Sequence, residues 1–388
     1  MIAGKRCLEW VMEAGLHRRR PGRIPPFAAA EVRRILVVRK DNIGDVLCTT
    51  PALRALRRSF PDAHLAILVS AHCRAVVAGN PDVDEVLTYT KTKHRSGLWG
   101  LSAFADLARV IRALRARRFD LAIVMGRPAS RSSAWLAYVT GALWRLGYGS
   151  PALSPFPFFL NLTRDPAAAL SHEVDGCLDL LASIGVLPAG RFLTLTSDPE
   201  ARRAVRRRLR AAGAGEGDQL AMVHISSRRE SNRWPLESFA HAADGLHDRL
   251  GLRVVVTWAP GDVLNPYFPG DDGRVEEMVG RMRTQPILLP TPTLEEFVAC
   301  MSLCDFLLSA DGGPIHVAAA LGVPQVALFD GSGPSHWAPL SERSVVLQRG
   351  DHVREVTEEE VLAASAEVLS RWGRARIAEG VTPKGGAV

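Results

Sequence analysis

The chain alternates short apolar runs with longer amphipathic stretches. The run Ile35-Leu-Val-Val38, within Arg34–Arg39, is typical of a buried strand, and apolar residues then recur at helical spacing through Leu53, Leu56 and Phe60. Further strands in this half are predicted at His64–Val69, Glu85–Thr88, Leu121–Val124 and Trp144–Gly147, and a helix at Leu101–Arg117. This alternation predicts repeated βα units around a parallel sheet.

A second series of the same kind follows a linker. An amphipathic helix is predicted at His172–Ile184, Gly185 is placed to end it, and Pro188–Pro199 is typical of a linker. The second series has strands predicted at Leu220–Ile225, Arg253–Thr257, Ile287–Leu289, Asp305–Leu308 and Gln325–Leu328, and helices at Leu236–Leu250, Leu294–Cys300, Ile315–Leu321 and Glu358–Trp372. We therefore expect an α/β protein with domains over 31–190 and 191–388, preceded by a leader over 1–30.

Positive charge is concentrated in that leader. The 388 residues include 48 Lys+Arg and 41 Asp+Glu, a net charge of +7. Residues 1–30 hold six basic and two acidic side chains, which leaves 42 against 39 for the rest. The nearly balanced body argues against binding to nucleic acid. A basic leader with an apolar stripe, at Leu8, Val11, Met12 and Leu16, favours weak attachment to an anionic membrane surface.

Composition narrows the class and the compartment. With 47% apolar and 23% charged residues, the chain is typical of a globular protein. The pattern of residues 1–30 does not predict a secretory signal, and no apolar run in the sequence is long enough to predict a membrane span. The six cysteines contain no C-x-x-C pair, so we expect buried, reduced thiols and no metal site. The expected location is the cytoplasm, with peripheral contact at the inner face of the cytoplasmic membrane.

The loops that follow the strands are where functional side chains are expected, because ligands of open parallel sheets bind beyond the carboxyl ends of the strands. The first such loop runs from Arg39 to Val46, with Gly44 at a tight turn and Asp45 at the start of a helix. One interpretation makes Asp45 a helix-terminal acid that binds free N–H groups. The other makes it a general base at the mouth of a cleft between the two domains.

A second loop, Ser309–His316, has the composition of an anion site. Gly312 and Gly313 let a ligand approach the backbone, and Pro314 suits the first turn of a helix whose N–H groups can bind phosphate. Here Asp311 is either a helix cap or part of a ligand site. His316 is either a partly buried structural histidine or a donor to phosphate.

Two further loops carry candidate polar side chains. His224–Pro235 contains Arg228, Arg229 and Arg233, which could hold a diphosphate or form a solvated charged loop. Trp258–Asp262 ends in Asp262, which could accept hydrogen bonds from sugar hydroxyls. The glycine fingerprints of dinucleotide-binding and P-loop proteins are absent, which disfavours an oxidoreductase or an NTPase.

Together these loops resemble glycosyltransferase family 9, the group that contains the ADP-heptose:lipopolysaccharide heptosyltransferases. Ile35–Arg54 is similar to the opening motif of that family, and Asp311–Pro324, continued by Val326–Phe329 and Trp337–Pro339, is similar to its nucleotide-binding motif. Arg233-Trp234-Pro235 stands where the family has an R/H-W-P element. The resemblance covers roughly residues 33–372 and leaves the leader outside it.

The resemblance implies a GT-B architecture, with two Rossmann-like, doubly wound parallel-sheet domains facing across a cleft. It implies inverting transfer of a sugar, most simply heptose from ADP-heptose, to an anionic, lipid-linked lipopolysaccharide core or related glycan, without metal or cofactor. Asp45 would be the general base. A free aspartate is a weak base, so cleft closure would have to strengthen it. The donor site implied is Ser226, Asn232, Arg233, Asp262, Asp311, Gly312, Gly313, Pro314 and His316, and the acceptor site is Lys40, Lys93 and Arg95.

Three positions depart from the family pattern. Asn232 replaces a lysine, Asp262 replaces a glutamate, and Gly312 replaces a threonine or serine. The phosphate cation would then be Arg229 or Arg233. These departures keep two alternatives open: a family member with another donor sugar, and a protein of the same fold that binds nucleotide sugars without catalysis.

Overall fold

The structure, a computed structural model, describes residues 25–89, 101–127, 129–149, 159–165, 172–227, 229–261, 270–331 and 333–373, with the backbone alone at 101–107. Most of the predicted leader, residues 1–24, lies outside them. The end of that leader contacts the first sheet: the Phe27 ring packs edge-on against Trp144 at 5.3 Å, and Trp144 Nε1 donates to the Pro25 carbonyl at 3.3 Å.

The first half contains a parallel sheet of six strands. These are β1 (Arg34–Arg39), β2 (His64–Ser70), β3 (Glu85–Tyr89), β4 (Leu121–Val124), β5 (Trp144–Tyr148) and β6 (Leu162–Arg164). Its helices are α1 (Ile43–Ser59), α2 (Arg74–Val77), α3 (Leu101–Ala116), α4 (Arg131–Val139) and α5 (Glu173–Ala182). The central strands β1 and β4 are almost wholly buried, as expected for a sheet covered on both faces.

The second half repeats this plan. Its strands are β7 (Leu220–His224), β8 (Arg253–Trp258), β9 (Ile287–Pro290), β10 (Phe306–Ala310), β11 (Gln325–Phe329) and β12 (Ser344–Gln348). Its helices are α6 (Pro199–Ala211), α7 (Leu236–Asp248), α8 (Asp272–Val279), α9 (Leu294–Met301), α10 (Gly313–Leu321), α11 (Pro334–Trp337) and α12 (Glu358–Trp372).

Both sheets have the same strand order. The first runs β3-β2-β1-β4-β5-β6 and the second, in the equivalent direction, β9-β8-β7-β10-β11-β12. Every pair of neighbouring strands is parallel. In each sheet the chain first adds strands toward one edge and then returns to the centre and adds strands toward the other edge. The order of addition reverses between β1 and β4 in the first sheet and between β7 and β10 in the second. Ligands of this topology bind at those reversal points, so the loops after β1, β7 and β10 are the ones placed to hold them.

The two halves are in direct contact through helices that follow central strands. Helix α1 packs against α10, and one continuous apolar core includes Val46 and Leu53 from α1 together with Val317 and Ala318 from α10. The loops at the N-terminal ends of these two helices are therefore brought together.

The hydrophobic pattern predicted ten of the twelve strands in the described residues and the position of α12 to the residue. It missed β6, which has three residues, and β12, which is only half buried. It also missed α4, α6 and α8 and the four-residue helices α2 and α11. In α6 six arginines leave only Val205 and Leu209 buried, which is too short an apolar stripe to stand out.

The linker region lacks regular structure from 183 to 198, between α5 and α6. The domain limits 31–190 and 191–388 remain predictions. Cys48, Cys73, Cys177, Cys300 and Cys304 are buried free thiols, as expected. Within the described ranges, no helix has the length and apolar character needed to cross a membrane.

Candidate functional site

The N-terminal ends of α1 and α10 meet at very close range. A Cβ atom added to Gly44 would lie 2.7 Å from Cδ2 of His316, and one added to Gly313 would lie 3.1 Å from Cβ of Ile43. Real Cβ atoms do not approach as closely as 2.7 Å, so only glycine fits at position 44 in this arrangement. The loop that holds Asp45 is thereby fixed beside the loop that holds Asp311.

Asp45 is held rigidly at the start of α1. Its Oδ1 accepts from Arg39 Nη2 at 2.7 Å, and its Oδ2 accepts from the backbone N–H of Asn42 at 3.0 Å and from Asn42 Nδ2 at 3.1 Å. The side chain keeps 16% of its surface exposed. Asp45 thus performs the helix-terminal role and also presents a partly accessible carboxylate of fixed orientation, so the two interpretations of this residue are compatible.

Arg39, at the end of β1, is a buried cation of this region. Its side chain is 2% exposed and pairs with three carboxylates: Nη2 with Asp45 at 2.7 Å and Glu173 at 2.9 Å, and Nε with Asp41 at 3.2 Å. Glu173 is the first residue of α5, and its other oxygen lies 3.6 Å from Arg127 Nη2. Charge that would be costly to bury alone is therefore distributed over a network of ion pairs.

Asp311 follows β10 at the start of the glycine turn. Asn232 Nδ2 donates to Asp311 Oδ2 at 2.9 Å and to its carbonyl at 3.2 Å. Burial raises the pKa of Asp311 to about 6, although hydrogen bonds from Asn232 and Gly312 and the charge of Arg229 act in the opposite direction. Asn232 is 4% exposed, and its side-chain amide is hydrogen-bonded to this carboxylate.

Gly312, Gly313 and Pro314 form the expected helix start. Gly312 is the N-cap of α10, and Gly313 and Pro314 lie in its first turn. Since the first N–H groups of a helix have no acceptor within it, this turn can bind an anion.

His316 follows these residues in α10 and lies inside the contact between α1 and α10. It is buried, its Nδ1 is 3.9 Å from Cys48 Sγ, and its ring lies edge-on to Trp337 at 6.1 Å. Burial lowers the pKa of His316 to about 4, so the ring is neutral near pH 7. These contacts give it a structural role; a contact with phosphate stays a prediction.

The loop after β7 contributes two accessible arginines, Arg229 and Arg233, and one structural anchor, Trp234. Arg233 is half-buried, and its Nε donates to the Ser227 carbonyl at 3.0 Å. Trp234 is buried, and its Nε1 donates to the Val356 carbonyl at 2.9 Å. Ser226 Oγ accepts from the Ala259 N–H at 3.2 Å, which joins this loop to the one after β8. Arg229 is exposed near Asp311.

The expected acceptor residues are only partly described. Lys40 is buried, its ammonium group donates to Ser132 Oγ and lies 5.7 Å from the centre of the Tyr89 ring. Lys93, Arg95 and, on the donor side, Asp262 lie outside the described residues.

Sequence reasoning missed Arg39, Glu173 and His172 as parts of this site. His172 caps α5 through Nδ1, which accepts from the Val174 N–H at 3.1 Å, and its Nε2 donates to the Ala338 carbonyl of the second half at 3.0 Å. Arg39 could have been identified from the sequence, because it is a charged residue at the end of an apolar strand. Nothing local marked Glu173 or His172.

Comparisons with known proteins identify the family of this chain. A family model described as glycosyltransferase family 9 (heptosyltransferase) matches residues 107–363. The chain is similar to lipopolysaccharide heptosyltransferase 3 of Escherichia coli, at 24% identity over 311 residues, 80% of this chain and 87% of the relative. It is also similar to lipopolysaccharide heptosyltransferase 2 of Salmonella typhimurium, at 24% identity over 334 residues, 81% and 88% of the two chains.

Solved structures show the same architecture. The glycosyl transferase family 9 protein of Veillonella parvula superposes with a TM-score of 0.76 at 26% identity, over 87% of this chain and 97% of that one. The ADP-heptose lps heptosyltransferase II of E. coli gives a TM-score of 0.71 at 21% identity, over 87% and 99%. The expected GT-B fold, α/β with two parallel sheets, and the resemblance to family 9 are confirmed.

The contact at Gly44 generates a stability prediction. Gly44→Ala should lower the denaturation midpoint, because the new methyl group must displace His316 and separate α1 from α10. Gly273→Ala is the matched control: Gly273 is also the second residue of its helix, and its Cβ would meet nothing within 4 Å. That control should be neutral or stabilised by up to about 1 kcal/mol. Equal midpoints for the two variants in urea unfolding would contradict the close contact.

Burial of Asp311 generates a pH prediction. Its pKa of about 6 in the folded protein exceeds the ordinary 3.8, so stability from this group falls as pH rises from about 4 to 6. Asp311→Asn should therefore be more stable than the parent at pH 7.5, by on the order of 2 kcal/mol, and the gain should shrink toward pH 4.5. Thermal melts across this range measure it. A gain that does not vary with pH would refute the assigned cause.

Proposed function

The chain belongs to glycosyltransferase family 9, and from that premise we propose that it is an inverting glycosyltransferase that moves heptose from ADP-heptose to a lipopolysaccharide core or related glycan. One observation supports this most directly: a fixed, partly exposed carboxylate, Asp45, lies beside the glycine turn at the N-terminus of α10. A base and an anion site are the two groups that such a transfer requires. The names of the relatives, lipopolysaccharide heptosyltransferases, support heptose as the sugar in this proposal.

In this mechanism Asp45 takes the proton of the acceptor hydroxyl as that oxygen attacks the anomeric carbon. A bond forms between the acceptor oxygen and the anomeric carbon, while the bond from that carbon to the diphosphate oxygen breaks on the opposite face. The leaving nucleoside diphosphate keeps the electron pair. N–H groups of the first turn of α10 stabilise the charge that develops on it.

The positive charge at the diphosphate is assigned to the loop after β7. Asn232 does not supply it, because its amide is bonded to Asp311 and carries no charge. Arg229 is exposed near Asp311, whereas Arg233 is held at the Ser227 carbonyl. We therefore assign the main contact with the diphosphate to Arg229 and a secondary one to Arg233.

A non-catalytic nucleotide-sugar-binding protein of the same fold is the second candidate. It is favoured by the use of Asn232 as an Asp311 partner and by the absence of a hydroxyl at Gly312. Such a protein would bind the donor and leave it unreacted in the presence of acceptor.

The membrane contact is part of the proposal. The enzyme would lie in the cytoplasm, and the net charge of +4 in residues 1–30 would attach it to the anionic inner face of the membrane. This attachment would bring it close to a lipid-linked, anionic acceptor. Because Pro25 and Phe27 contact Trp144, the attaching segment is assigned to residues 1–24.

Asp45→Asn and Asp45→Ala test the base. Both should reduce sugar transfer from ADP-heptose by at least about a hundredfold, since a general base contributes 10²–10⁴ in rate, while ADP affinity stays unchanged. Release of ADP in the presence of lipopolysaccharide core acceptor measures transfer. Asp41→Asn is the matched control, because Asp41 also pairs with Arg39 but is 41% exposed and should retain activity. Full activity in Asp45→Asn, or no transfer by the parent with any nucleotide sugar, would refute the assignment.

Deletion of residues 1–24 tests the membrane contact. The shortened chain should bind less to vesicles that contain phosphatidylglycerol and should transfer sugar to a water-soluble acceptor at the parent rate. Co-sedimentation at two salt concentrations measures the first effect. Unchanged vesicle binding would contradict attachment by this segment.

A further inference from the structure

Glu173 is a buried carboxylate that shares a single nitrogen with Asp45. It is the first residue of α5, its side chain is 7% exposed, and its Oε1 lies 2.9 Å from Arg39 Nη2. The same Nη2 lies 2.7 Å from Asp45 Oδ1. The proposed base and Glu173 are therefore ion-paired with the same guanidinium nitrogen, although they belong to different helices that are distant in the chain.

Arg39 stays positively charged in this environment. Burial by itself lowers the pKa of Arg39, but neighbouring acidic groups, Glu173, Asp45 and Asp41 among them, raise it further, so the net change is upward. The Cys177 thiol is also close, but burial raises its pKa to about 12, so it is neutral near pH 7. The charge on Arg39 is thus balanced by three carboxylates.

Glu173 is the most buried of those three carboxylates. Asp41 is 41% exposed and Asp45 16%, so water screens both more than it screens Glu173. Glu173 is also fixed in place, because His172 caps the same helix and donates to the Ala338 carbonyl of the second half. Arg127 is the other cation that faces it, at 3.6 Å.

We propose that Glu173 is a positioning residue for sugar transfer, which holds Arg39 so that the guanidinium orients Asp45 without fully neutralising it. The proposal rests on the proposed role of Asp45 as the base. When Asp45 takes the proton of the acceptor, it loses its charge, and Glu173 then remains to balance Arg39. The network therefore keeps a buried partner for the cation in both protonation states of Asp45, which lowers the cost of proton transfer.

Removing the charge of Glu173 should make Asp45 a poorer proton acceptor. Among the described residues, Asp45 would then be the less exposed of the two carboxylates paired with Arg39, and protonating Asp45 would leave the cation paired with Asp41, which is 41% exposed. Other groups that face Asp45 do not replace this effect: His316 is neutral near pH 7, and Asn42 only donates hydrogen bonds to it. The buried Cys48 thiol near His316 carries no charge either, because burial raises its pKa.

Glu173→Gln tests the proposal, since it keeps the shape of the side chain and removes its charge. We expect kcat to fall about tenfold, the KM for ADP-heptose to stay unchanged, and the acid limb of the kcat/KM profile to move about one unit to lower pH. Glu173→Asp keeps the charge but withdraws it by one methylene, and should show a smaller shift in the same direction. If Glu173→Gln does not fold, the pH profile of Glu173→Asp tests the proposal instead.

Asp179→Asn is the matched control. Asp179 lies on the same helix and pairs with Arg164 and the Tyr148 hydroxyl, away from Arg39. It should leave the pH profile unchanged. A fall in kcat with Glu173→Gln while the profile stays in place would reduce Glu173 to a structural role, and parent kinetics would overturn the proposal as well. In either case an active parent and an inactive Asp45→Asn would leave the proposed function intact, whereas an inactive parent would end both.

Discussion

The contact between Gly44 and His316 is the constraint on which the site depends. In each of the two sheets a central strand is followed by a loop and a helix. The first turns of those helices, α1 and α10, are in contact at residue 44, which has no side chain. The topology alone would place a ligand site at each sheet edge. The absence of one Cβ brings the two edges together, so that a carboxylate from one half and an anion-binding turn from the other can act on the same molecule.

The electrostatics of this junction follow from burial. His316 lies between the halves as a neutral ring, because burial lowers its pKa to about 4, and it therefore adds no cation beside Arg39. Arg39 keeps its charge because carboxylates surround it, and burial alone would have disfavoured that charge. Removing one member of such a buried network typically costs about 3–5 kcal/mol, so Arg39 serves the fold as well as the site. Asp311 shows the opposite balance: burial outweighs the hydrogen bond from Asn232 and the charge of Arg229, and its pKa rises to about 6.

How far the sequence predicted this arrangement depends on the range of the interactions. Asp45, Gly312 and Gly313 were predictable because strand, turn and helix start are adjacent in the chain, and the structure places them together. The burial of His316 was not, since it depends on α10 meeting α1, and a histidine at the fourth position of a helix has no local mark of such a contact. Glu173 was missed for the same reason: its partner Arg39 is joined to it only through the packing of α5 against α1. The sequence marked Asn232 as a departure from the family pattern, but its hydrogen bond to Asp311 became visible only in the fold.

The central claim is that a nucleotide sugar binds with its diphosphate at the start of α10 and its sugar facing Asp45. A crystal structure with an unreactive ADP-heptose analogue tests this most directly. The account predicts diphosphate oxygens within about 2.6–3.2 Å of N–H groups in the Gly312–Gly313 turn, and the anomeric carbon on the side of Asp45. A nucleotide bound elsewhere, or a sugar directed away from Asp45 in the closed protein, would contradict it.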